Sequence, residues 1–129
     1  MPIVYPHEFI ARTAISSVKA EIAKSLNSNG FSQKDLAELM DSQISAVSQY
    51  INGQRGSSYP LSENTMTLVS AVSEAIRNEP TAELLKFGVY QICNKIIEEE
   101  FGYSFDDDEE NENEGLVESQ YEDDIELSD

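Results

Sequence analysis

Gln43, Ile44, Ser45, Ser48 and Gln49 fall within one seven-residue stretch, "QISAVSQ". If that stretch is helical and Val47 is packed inward, these five side chains are left on the outer side. Their types suit the edges of base pairs. A Gln carboxamide can pair bidentately with adenine, a Ser hydroxyl both donates and accepts, and an Ile can touch a thymine methyl. Lys34 and Arg55 flank the stretch and suit phosphates, with Lys19 or Lys24 available if the first helix approaches the same ligand. Catalytic chemistry finds no such grouping. There is no nucleophile with a base in register, no glycine loop to cradle phosphates and no cluster of metal ligands. His7 and Cys93, each the sole residue of its type, lie far apart in the chain. His7 reads as an ordinary surface or capping residue and Cys93 as buried packing. Tyr50 and Tyr59 read as packing residues, with a phosphate contact by Tyr59 as the lesser alternative. The chain is not expected to be an enzyme, and no cofactor or metal is implied.

The elements that must hold those residues are helical. Ile15, Val18, Ile22 and Leu26 recur at steps of three and four, which predicts a helix from about Glu8 to Leu26. Asn29-Gly30 ends it, with glycine suited to a left-handed C-terminal position. Ser32 with Asp35 has the form of a capping box and opens a short helix to Met40. A third helix is expected from about Gln43 to Ile51, stopping at Asn52-Gly53. "QRGSSYPLS" reads as a loop. A fourth helix is expected over about Glu63 to Asn78, and Pro80 and Thr81 start a fifth that carries Leu85, Val89, Ile92 and Ile96. No stretch alternates as a strand, so the fold class is all-α. The second and third helices are separated by so few residues that they must cross steeply. Ala37 supplies the small residue that such a crossing needs, with Leu36, Met40 and Val47 filling the space and Leu39 and Ile51 joining them.

On these residues the segment "FSQKDLAELMDSQISAVSQYINGQRG", Phe31 to Gly56, resembles the DNA-binding core of the XRE (phage repressor and Cro-like) helix-turn-helix family. The longer block through the later helices is similar to small archaeal regulators on that fold. The resemblance implies a five-helix Cro/repressor-like domain over residues 1–103, with its helix-turn-helix core at 31–56. It implies that Gln33 contacts a phosphate and buttresses the reading helix, and that Gln43, Ile44, Ser45 and Gln49 face the major groove. It also implies that Asn52, Gly53 and Arg55 lie along the backbone beyond it. Where the family's turn has glycine and then a hydrophobic residue, this chain has Asp41 and Ser42, so Asp41 is required to take the left-handed conformation. The family often has Gln where Ile44 stands. A cysteine-rich sensor segment does not carry over to a chain with Cys93 alone.

Charge decides how such a domain could meet a polyanion. The 129 residues carry a formal net charge of −17, yet 16 of the 25 acids lie between Glu98 and Asp129, where there is no Lys or Arg. Residues 1–97 therefore hold nine acids against all eight bases. The body is nearly neutral, and 104–129 reads as a disordered acidic tail. Within it Val117, Tyr121 and Ile125 are four apart and would share one side of a helix ordered by a partner. Eight bases offer few phosphate contacts per copy. A homodimer on a pseudo-palindromic site is expected, its interface supplied by the fourth and fifth helices around Val69, Val72, Ile92 and Ile96. The chain lacks a signal-peptide pattern and any run approaching the ~20 apolar residues of a membrane span, so a cytoplasmic protein is expected. The leading expectation is a double-stranded-DNA-binding transcriptional regulator, by default a repressor. An antitoxin, or a protein-binding adaptor whose acidic tail engages a basic partner protein, is the alternative.

Overall fold

The structure, a computed structural model, describes residues 5–102; residues 1–4 and the acidic segment from 103 onward, including the expected tail at 104–129, lie outside the described residues. Among the described residues every regular element is a helix. In chain order these are α1 (Pro6–Phe9), a π-helical turn (Ile10–Ala14), α2 (Ile15–Ser28), α3 (Gln33–Met40), α4 (Ile44–Ile51), α5 (Glu63–Asn78) and α6 (Ala82–Phe101). The first three run on without a break, so the architecture is five helical rods. None is long and apolar enough to cross a membrane.

The first rod is longer than its apolar spacing predicts. Proline at its first position is tolerated because that N–H has no helical partner anyway. At Ile15 the backbone N–H reaches back five residues to the Ile10 carbonyl, while the Thr13 hydroxyl donates to the Phe9 carbonyl at 2.6 Å. Only beyond this widened turn do Val18, Ile22 and Leu26 form the fully buried stripe that the spacing anticipates. The rod closes as expected. Gly30 takes φ +100°, and Phe31 N–H returns to the Leu26 carbonyl at 3.1 Å. The Ser32–Asp35 capping box is present in both directions, Asp35 N–H to Ser32 Oγ at 3.1 Å and Ser32 N–H to Asp35 Oδ2 at 3.4 Å.

α2 is the central rod, packed on α4 and α5, with α6 closing the other sides. Leu26, Leu36, Val47, Ile76 and Ile92 have no exposed surface, and burying each such side chain stabilises the fold by roughly 1.5–3 kcal/mol. α5 and α6 start at side-chain caps, Ser62 Oγ on Thr65 N–H and Thr81 Oγ1 on Leu84 N–H, each at 3.1 Å. The far end of α6 is tied back to the start of α5. Glu99 accepts from Ser62 at 2.7 Å and from the buried Thr65 hydroxyl at 2.8 Å. At the opposite end of α5, Arg77 donates to Asn29 at 3.1 Å.

The four residues expected to centre a dimer interface are not surface residues. Val69, Val72, Ile92 and Ile96 are buried inside the chain's own core, where α5 and α6 meet each other and α2. An apolar stripe shows that a face is covered, and in this molecule the cover is intramolecular. The apolar surface that α5 and α6 leave outside shares only Val72 with that set. It is a groove of about 150 Å³ lined by Leu68, Ala71, Val72, Ala75, Leu84, Gly88 and Gln91; elsewhere on α6, Phe87 and Tyr90 stack at 6.3 Å and are 54% and 60% exposed.

Candidate nucleic-acid interface

α3 and α4 are joined by three residues, Asp41 to Gln43. Asp41 takes φ 51°, ψ 49°, the left-handed conformation that the turn demands and a side chain resists. Ser42 N–H then donates to the Ala37 carbonyl at 2.9 Å, and Ser42 Oγ to the Met40 carbonyl at 3.2 Å, closing the end of α3. Beneath the turn Leu36, Ala37, Met40 and Val47 are buried, as the spacing predicts, and Leu39 and Ile51 pack half-buried against them. Ala37 has no side chain beyond Cβ, so the two helices can approach closely.

The five residues expected on the outer side of α4 divide into two sets. Gln43, Ile44 and Ser45 are exposed. Ser48 and Gln49 are half-buried, which departs from the expectation of a uniformly outward face, because the second turn of α4 lies closer to the rest of the domain. Gln43 is also not the first residue of the helix. It is the N-cap, with extended backbone at φ −80°, ψ 152°, and its side chain makes no capping bond. Its carboxamide is therefore not spent within the helix end. Ile44 is 51% exposed, an apolar side chain held in solvent beside two polar ones.

The flanking residues are also open. Gln33 and Lys34 are exposed in the first turn of α3, and Asn52, Gly53 and Arg55 are exposed after α4. Asn52 Oδ1 accepts from Gln54 N–H at 3.1 Å, which fixes the side chain and turns the chain. Arg55 N–H donates to the Gln49 carbonyl at 3.1 Å, and the Arg55 guanidinium lies 5.8 Å from the ring centre of Tyr50, itself buried. The arginine is thus steered by a ring fixed in the core.

What anchors this loop was not visible in the motif. Gly56 has φ +79°, and a Cβ there would collide with the Ser16 carbonyl and lie 2.7 Å from Ala20 Cβ. Three residues later Tyr59 N–H donates to the buried Ser17 hydroxyl at 3.3 Å. The small residues Ser16, Ser17 and Ala20 of α2 are the only sequence signal of this docking. Tyr59 stacks edge-on against Phe9, and its hydroxyl donates to Glu100 at 2.6 Å. Burial, then the Glu100 bond and the nearby carboxylates, raise its pKa well above the usual phenol value. Tyr59 is a packing residue, as the principal reading has it, and its hydroxyl is already taken.

Lys24 is paired with Glu21 at 3.2 Å. Lys19 lines a separate groove with Leu39 and Lys86. His7 is exposed and Cys93 buried. Among the described residues no group of three His, Cys, Asp or Glu is placed to hold a metal ion. Across residues 31–56 Lys34 and Arg55 face Asp35, Glu38 and Asp41, so the segment itself is slightly negative. Set against known proteins, the chain matches no family model, no curated protein and no solved structure.

Proposed function

We propose that the chain is a sequence-specific double-stranded-DNA-binding regulator of the helix-turn-helix kind, with α4 as the element that enters the major groove. The observation that carries this reading is the first turn of α4. Gln43, Ile44 and Ser45 stand exposed there while Val47 and Tyr50 on the same helix are sealed in the core. A carboxamide, an apolar branch and a hydroxyl on a rigid support are what direct readout requires. Gln33 and Lys34 before that turn and Asn52, Gly53 and Arg55 after it are the phosphate partners, and Ser48 and Gln49 are base partners of lesser reach.

The slightly negative charge of residues 31–56 leaves little sequence-independent affinity. Specific binding must then come from base contacts and from two copies acting together, with reading helices about one DNA turn, or ~34 Å, apart. The apolar groove between α5 and α6 and the exposed Phe87–Tyr90 pair on α6 are the surfaces available for that pairing. Occupying a promoter is enough for repression, so a repressor is the simplest assignment.

Selection of bound sequences from random duplex DNA with the full chain tests this. An inverted repeat is expected. Gln43→Ala is expected to relax preference at one position in each half-site, at a cost of about 1–3 kcal/mol for the lost bidentate pair. Recovery of no sequence, or a Gln43→Ala protein with unchanged preference, would overturn it. The slight negative charge around α3 and α4 favours one second reading, an antitoxin or adaptor in which the acidic C-terminal residues engage a basic protein.

A further inference from the structure

A second open groove, of about 290 Å³, runs between α2, α3 and α6. Its floor is apolar: Met40 and Leu85 are buried, and Ile15, Leu39 and Val89 are half-buried. Lys19 on α2 and Lys86 on α6 line it, and neither makes an ion pair among the described residues. Asp41 is the one acid in the lining. An apolar floor between two lysines with no acidic partner among the described residues calls for a ligand that is apolar on one side and acidic on the other.

We propose that this groove is the docking site of the chain's own C-terminal segment, residues 116–127. The segment "LVESQYEDDIEL" has the required chemistry: Val117, Tyr121 and Ile125 four apart, with Glu118, Glu122, Asp123 and Asp124 between them. No Lys or Arg follows Lys95, so nothing beyond Gly102 repels Lys19 or Lys86. The reach is sufficient. Val89 lies about 20 Å back along α6 from Gly102 at the helical rise, whereas residues 103–116 can extend to roughly 45 Å. Val117, Tyr121 and Ile125 meet Ile15, Leu39 and Val89, and the intervening carboxylates meet the two lysines. The groove between α5 and α6 lacks any basic residue in its lining, and so does not offer the charge match. Docking in this place does not depend on α4 meeting DNA.

The test is paramagnetic broadening in the full chain. A Ser119→Cys variant can be spin-labelled at neutral pH, because Cys93 is buried and its thiol is pushed up to about 11. Amide signals of Ile15, Lys19, Leu39 and Val89 are expected to lose most of their intensity at low salt, and those of Ala71 and Ala75 to keep it. Adding Lys19→Glu and Lys86→Glu, or raising the salt, is expected to restore the lost signals, since the charge contribution is screened. The remaining signals, unshifted, show that the charge-reversed chain is folded. Broadening that survives charge reversal, that is centred on Ala71 and Ala75, or that is absent altogether would overturn the proposal. So would broadening seen only when labelled and unlabelled chains are mixed, which would place a second copy's segment in the groove.

Discussion

Asp41 is where one side chain bears most visibly on the α3–α4 pair. Its left-handed backbone carries a strain that glycine would not, yet the Ser42-to-Ala37 hydrogen bond depends on that conformation. Asp41→Gly is therefore expected to raise stability by about 1 kcal/mol, read as a higher urea midpoint with an unchanged slope. The requirement at Asp41 was legible through the resemblance, because the helix-turn-helix family that the segment resembles has glycine at that place in its turn. The capping box at Ser32 and the cap at Gly30 were legible from the residues themselves, each being settled within a few residues. Exposure at Ser48 and Gln49 was not, because helical spacing fixes direction and leaves open how near the neighbouring elements come.

Between elements the decisive contacts are made by residues remote in sequence. Gly56 pins the loop after α4 against Ser16 and Ala20 of α2, so the segment bearing Asn52, Gly53 and Arg55 is held to the central rod. Gly56→Ala combines a positive φ with a collision against backbone, and is expected to cost at least about 1–2 kcal/mol. Thermal or urea unfolding reads the loss, and broadened signals from Asn52 to Tyr59 would locate it. No local pattern foretold this, since Tyr59 and Ser17 are 42 residues apart. The same holds for the partners of Glu99 and Glu100, two residues counted with the run of acids although the expected domain, 1–103, already includes them. In the fold they accept hydrogen bonds from Ser62, Thr65 and Tyr59 and belong to the domain. Val69, Val72, Ile92 and Ile96 show the converse limit, because periodicity identified them as a covered face without saying what covers it.

For the molecule as a whole, two groups link stability to alkaline pH. Burial pushes the Cys93 thiol from its ordinary value of 9.0 to about 11, with the charge of Lys19 opposing, and Tyr59 is raised as well. Both keep their protons in the folded chain after the unfolded chain has lost them. The Cys93 contribution is therefore whole below pH 9 and lost as pH rises through 9 to about 11, while that of Tyr59 is whole below pH 10 and declines only above it. The Cys93 part of the decline has a limiting slope of about 1.4 kcal/mol per pH unit. Urea titrations across that window are expected to show the decline, and Cys93→Ala to flatten it between pH 9 and 10. One arrangement of rings has a further consequence. Phe9 near the start of the first rod packs edge-on at 5.6 Å against Phe101, the last residue of α6. The two ends of the domain are neighbours in space, so a short flexible peptide could bridge Gly102 to Tyr5 and the chain could be reopened at the exposed Glu79–Pro80 link. Such a circular permutant would keep α2 at its centre and the α3–α4 pair unbroken. The order in which the rods are strung would become a free choice for the experimenter.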